Sequence, residues 1–251
     1  MPFLSADSLS LVDILFIAII ILGLPIESLL NLKKGRAELA SGTPGARIKL
    51  YSQTILLLWG LAIPTVILWA ASGRAWDALG FQLVGGPMAI SGWLLAALIA
   101  GFFLVQYSSV TKSAAAREKF RDDFAKNTLM SNFMPHTDAE RRIFNVMGIS
   151  AGIAEEIVFR GYLIWAFSLY LPLWAAALAS LLVFTLLHIY QGASQLPLIF
   201  LSGAAVTLVF LLSGSLWPAI ALHIFVDVIN NNMVWKARGE TVQPLQAAPS
   251  V

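Results

Sequence analysis

Glu155, Glu156 and Arg160 fall within six residues of one another, inside a run from 143 to 171 that is otherwise almost entirely apolar. A charged side chain near the centre of a bilayer costs about 2.5–3.5 kcal/mol on insertion scales, so three together point to a site facing protein or water. His188 and His223, two of the three histidines, lie in later apolar segments, and Asp227 follows His223 by four residues. A buried carboxylate beside a histidine is suited to taking a proton from water. A second histidine placed opposite can donate to the oxyanion of a tetrahedral intermediate. Together these types suit hydrolysis of a peptide bond without a covalent intermediate. The chain has no cysteine, which removes thiolate nucleophiles.

Two other chemistries use the same residues. Glu155, His188 and His223 could ligate zinc from three helices, although no His-Glu-x-x-His is present. Intramembrane Glu and His also serve proton relays, so a transporter or a non-catalytic immunity or binding scaffold is the third reading.

Spacing assigns partners. On a helix, Glu156 and Arg160 stand at i,i+4 and can pair, while Glu155 points about 100° away and is left for another task. Phe184 and His188 repeat the four-residue step, as do His223 and Asp227, with Asn230 on nearly the same face. If the fourth and fifth spans form a hairpin at Leu171-Pro172, Glu155 and His188 both lie about 24 Å below that turn. His223, nine residues past Gly214, lies only about 13 Å below its own turn, so it meets them only if the last span starts deeper or tilts.

These side chains require membrane helices to hold them. Of 251 residues, 58% are hydrophobic and 12% charged, and the mean hydropathy is +0.78. The fold class expected is an all-α, polytopic transmembrane bundle. We read about seven spans (six to eight): 11–30, 50–70, 88–107, 143–168, 174–190, 196–212 and 216–234. This divides the chain into N-terminal helices (1–107), a cytoplasmic linker (108–142), a catalytic core (143–235) and a disordered tail (236–251). Asp7 and Asp13 stand where a signal peptide would be basic, so the first segment is expected to remain as a span. Basic residues gather in 31–49, 108–142 and the tail, which puts the N-terminus outside and the C-terminus in the cytoplasm. Short loops and the lack of a targeting signal favour a bacterial inner membrane. The scattered charge forms no nucleic-acid stripe, and the oligomeric state is open.

Within the linker, 113–127 reads as an amphipathic helix with Phe120 and Phe124 on one face. It lies either on the inner membrane surface or across the ends of other spans. Thr137-Asp138-Ala139-Glu140 forms a capping-box pattern that starts the fourth span near Asp138. Trp59, Trp69, Trp76 and Trp93 read as interfacial anchors or core residues, and Pro25 and Pro64 as kinks. His136 is expected to be solvated. Asp13 and Glu27, in the first span, must face a cavity or lie near its ends.

Glu155-Glu156-x-x-x-Arg160, Phe184-x-x-x-His188 and His223-x-x-x-Asp227, in that order, resemble the three-motif signature of the CAAX-protease and bacteriocin-processing family of intramembrane endopeptidases, of the Ras-converting type. The resemblance covers about 155–227. It implies that Glu155 is the base and His188 its partner on the attacking water, that His223 and Asp227 line the oxyanion site, and that Glu156 and Arg160 support them. It implies no cofactor, and membrane lipids with a membrane-associated or lipid-modified peptide or protein as partners. Asp227 departs from the pattern, where asparagine is common. Our expectation is that Asp227 orients His223, with Asn230 or Asn231 as other sources of an amide.

Overall fold

The computed structural model describes residues 8–238, and all regular structure among them is helical. A first helix runs from α1 (Leu11–Ala18) through a π-helical turn at Ile19–Gly23 into α2 (Leu24–Ala40). The π turn lies just before Pro25, whose missing N–H cannot close an α-helical bond. Next come α3 (Ala46–Ala71), α4 (Pro87–Lys112), and two short helices, α5 (Ala114–Ala125) and α6 (Thr128–Phe133). Helix α7 (Asp138–Glu155) opens with the expected capping box between Thr137 and Glu140. It continues as a π-helix (Glu156–Leu163) and α8 (Ile164–Ser168). The bundle closes with α9 (Leu173–Leu187), a 3-10 turn at His188–Gln191, α10 (Leu196–Ser213) and α11 (Leu216–Arg238).

Five helical stretches are long and apolar enough to cross a membrane: Leu11–Ala40, Ala46–Ala71, Pro87–Lys112, Leu173–Gln191 and Ala193–Ser213. This is an integral membrane protein. The remaining two long helices, α7 with its π continuation and α11, carry Glu155, Glu156, Arg160, His223 and Asp227. They lie inside: α7 packs between α3 and α11, and α11 is backed by α4. The charges that make a site are also what lower the hydropathy of the helices that bear it.

Close approach of α7 and α11 rests on small residues. A Cβ at Gly152 would stand 2.7 Å from the Ile224 amide nitrogen, and one at Gly148 would stand 3.1 Å from the Asp227 Cβ. The pair forms a Gly-x-x-x-Gly face of the kind that lets membrane helices touch backbone to backbone. The main core surrounds the π-helix, with Val158, Tyr162 and Leu163 packed among Trp69, Leu79, Leu181, Phe184 and Leu216.

The structure decides between several of the expected placements. The face of α5 bearing Phe120 and Phe124 turns onto the bundle, among Tyr51, Met134, Phe144, Met147 and Val234, rather than onto lipid. The stack of the two rings is 6.4 Å between centroids. Helix α11 passes the expected boundary at 236: Ala237 is buried, and Arg238 donates to the Ser131 and Pro135 carbonyls at 2.7 and 3.0 Å. The disordered tail expected after Gly239 lies outside the described residues. Trp69 is a core residue, fully buried with its indole N–H donating to the Ala75 carbonyl. His136 is exposed, as expected.

Asp13 lies near the end of its span, one of the two expected placements, where it forms a capping box with Ser10 in the first turn of α1. It is fully buried and accepts two bonds from Arg74, at 2.6 and 2.9 Å, and one from the Tyr162 hydroxyl at 2.8 Å. Glu27 is exposed on α2, where it accepts from Asn31, and it faces a cavity of about 650 Å³.

Candidate active site

That cavity lies between α2, α3, α6 and α7. Leu57, Leu58, Leu61, Ala154, Val158 and Phe159 form apolar lining, and charges of both signs line it too: Lys34, Arg36 and Lys49 with Glu27 and Glu38, of which Lys49 and Glu38 pair at 3.4 Å. Glu155 and His188 open onto it.

Glu155 is the last α-helical residue of α7, and its side chain is 14% exposed. Its two oxygens face different histidines: Oε1 is 4.0 Å from His188 Nε2 and Oε2 is 3.8 Å from His223 Nε2. His188 caps α9, and its Nδ1–H donates to the Phe184 carbonyl at 2.8 Å. That bond fixes the tautomer of the neutral ring, leaving the Nε2 lone pair aimed toward Glu155. Any residue at 184 would offer that carbonyl; what phenylalanine adds is its ring, which packs on the imidazole at 4.5 Å between centroids. Tyr190 covers the other face of the imidazole.

Glu156 opens the π-helix and is fully buried. Its Oε1 accepts from Arg160 Nη1 at 2.8 Å, the pairing expected from the spacing, and from His223 Nδ1 at 2.7 Å. Arg160 is held further by the Gly203 carbonyl at 3.1 Å, by Thr207 at 3.3 Å and by the face of Phe184 at 4.5 Å. The guanidinium therefore fixes Glu156, and Glu156 fixes His223. A π turn often marks a functional site, and here it changes the facing of residues between Glu155 and Tyr162 without ending the helix.

The expected bond from Asp227 to His223 is not made. Asp227 Oδ2 stands 3.8 Å from His223 Nε2, beyond hydrogen-bond reach, and the orienting contact on Nδ1 belongs to Glu156. Asp227 is 36% exposed and shares with Glu155 the space in front of Nε2. Asn231 is buried and donates to Asn145 across the helix pair at 2.6 Å. Glu155, Glu156, Arg160, His188, His223 and Asp227 are thus gathered in one place. The double use of Glu156 has no sequence signal of its own, since a glutamate paired at i,i+4 already has a complete explanation. Among the described residues, no three His, Asp or Glu side chains are arranged to hold a metal ion.

His223 reaches this level from a helix whose start is enclosed by other chain segments. Leu216 is fully buried, its amide donates to the Gly80 carbonyl at 2.9 Å, and the segment 72–86 covers the turn before it.

Residues 141–229 match the family model described as Rce1-like, type II CAAX prenyl endopeptidase. The chain carries a CAAX-protease domain there. All six site residues lie within it, whereas α1 to α6 lie outside. Neither the curated proteins nor the solved structures yielded a match. A CAAX-protease domain on a bundle of apolar helices supports an endopeptidase that works within the membrane.

Proposed function

We propose that this protein is a glutamate-dependent intramembrane endopeptidase in which Glu155 and His188 activate a water molecule. The observation that carries the reading is the placement of the Glu155 carboxylate between two imidazole nitrogens at the wall of a cavity. A gap of 4.0 Å between Oε1 and His188 Nε2 accepts one bridging water at about 2.8 Å from each. Glu155 takes one proton of that water while His188 Nε2 accepts a hydrogen bond from the other, which aims the oxygen lone pair at the scissile carbonyl. As the tetrahedral intermediate forms, its oxyanion is met by the Nε2–H of His223 in the doubly protonated ring, held in line by Glu156 at Nδ1. Glu155 then returns its proton to the leaving amine.

The substrate in this reading is a membrane-associated or lipid-modified polypeptide, which the description of the matched family suggests. The apolar cavity wall would take its lipid-embedded part. Cleavage of a quenched fluorescent, prenylated peptide by the purified protein tests the reading. Glu155→Gln should lower kcat by about 10²–10⁴-fold with binding retained; unchanged turnover would refute it. The zinc alternative is separated in the same assay, since a chelator would abolish metal-dependent cleavage.

A further inference from the structure

The depth of His223 is a structural problem that the site residues themselves do not solve. We propose that the segment 74–82, outside the matched domain and away from the reacting atoms, is the positioning element that sets His223 level with Glu155 and Glu156. Its two central residues each locate one of the helices that carry the site. Leu79 is fully buried and lies against Gly161 of the π-helix, where a Cβ would meet the Leu79 carbonyl oxygen at 2.9 Å. The adjacent carbonyl, that of Gly80, accepts from the Leu216 amide at the start of α11. From this common reference, α11 runs seven residues, or about 10 Å, to His223, and the π-wound helix, which rises less per residue than an α-helix, runs back five residues from Gly161 to Glu156. The difference is within the reach of the two side chains that meet at 2.7 Å.

The segment is locked at both ends. Gln82 Nε2 donates to the Gly214 carbonyl at 3.1 Å, and Ser215 Oγ donates to the Gln82 carbonyl at 2.6 Å. Arg74 grips Asp13, which in turn accepts from Tyr162 on the π-helix, and the guanidinium lies over Trp165 at 4.2 Å. Gly80 has a φ of +97°, and a Cβ on it would stand 2.8 Å from the Phe210 ring and 3.0 Å from Leu216 Cγ. Any side chain at 80 therefore strains the backbone and pushes directly on the first turn of α11.

The catalytic consequence rests on the proposed function; the positional claim does not, and the test separates them. Gly80→Ala and Gln82→Ala are compared with Gly85→Ala, a control in the same connection whose Cβ meets open space. With ring-¹⁵N-labelled histidine, the signals come from only three imidazoles with two nitrogens each, and those of His223 are assigned by their loss in His223→Gln. Gly80→Ala should shift the His223 Nδ1 resonance and leave His188 in place. On the peptide substrate its kcat should fall on the order of 100-fold with KM unchanged. Gln82→Ala should show a smaller change of the same kind, and it decides the matter if Gly80→Ala does not fold; Gly85→Ala should match wild type. A folded Gly80→Ala or Gln82→Ala protein with the wild-type His223 resonance and kcat overturns the proposal, as does a loss through KM alone. If wild type and Glu155→Gln cleave alike, the hydrolytic reading fails, and the His223 resonance alone then supports or overturns the positional claim.

Discussion

Glu156 has two tasks, and separating them tests the logic of the whole site. Its Oε1 neutralises Arg160 at 2.8 Å and holds His223 at 2.7 Å, while both members of the Glu156–Arg160 ion pair are essentially without solvent contact. Arg160→Met leaves a buried carboxylate facing one histidine, with its Oε2 already lacking a hydrogen-bond partner. Losing one member of a buried pair typically costs about 3–5 kcal/mol, and that is the expected loss of stability. Replacing the whole pair with apolar side chains of similar volume is often neutral or stabilising, so Glu156→Leu with Arg160→Met should recover most of that loss. Activity should behave differently. The double variant has no acceptor for His223 Nδ1–H, and loss of ring alignment should hold kcat on the order of 100-fold below wild type. Melting in detergent by tryptophan fluorescence, together with peptide cleavage, reads both quantities. A double variant that recovers activity along with stability would refute the orienting role of Glu156 and reduce it to an ion-pair partner.

Other expectations follow from single contacts. Gly152→Ala should lower stability by about 1–3 kcal/mol through overpacking against Ile224, seen as an earlier melt, whereas Gly101→Ala, whose Cβ meets open space, should not. Asp227→Asn keeps the shape of a half-open side chain that makes no bond to His223 and adds an amide donor, so cleavage should stay within about threefold of wild type. A complete loss would require the carboxylate itself. His136, beside the membrane-spanning bundle, is exposed as a residue, but its ring lies against the Ser131 carbonyl and is partly desolvated there, which lowers its pKa, with Arg47 and Arg238 adding to the effect. The unfolded chain then binds the proton more readily, so stability falls as the pH drops from the ordinary histidine value toward the lower folded one. His136→Gln should flatten that part of a melting-temperature profile.

What could be read in the chain was local. Glu156 and Arg160 meet because i,i+4 spacing on a helix nearly determines it. The Thr137–Glu140 box starts its helix where it stands, and the Glu155–His188 depth match follows from one short hairpin. The features that escaped notice depend on residues far apart in sequence. Arg74 finds Asp13 across 61 positions, and Gly80 finds Leu216 across 136, so neither partner carries a mark of the other. Phe120 and Phe124 announced an apolar face but not its destination, because lipid and the ends of a bundle are equally apolar. The four-residue spacing of Gly148 and Gly152 marks a face for close helix contact, but only the folded chain shows that α11 fills it and brings Asp227 and His223 beside the glutamates.

The π-wound stretch from Glu156 to Leu163 also bears on how such chains can change length. Its upstream end must present Glu155 and Glu156 to the histidines, while its downstream end must present Tyr162 to Asp13. A π turn closes over one residue more than an α turn, so removing one residue between them would return the stretch to α-winding with its two ends still facing nearly the same way. The residues in between would turn instead. Homologous chains should therefore be able to differ by one residue within this stretch while Glu155 and Tyr162 keep their partners.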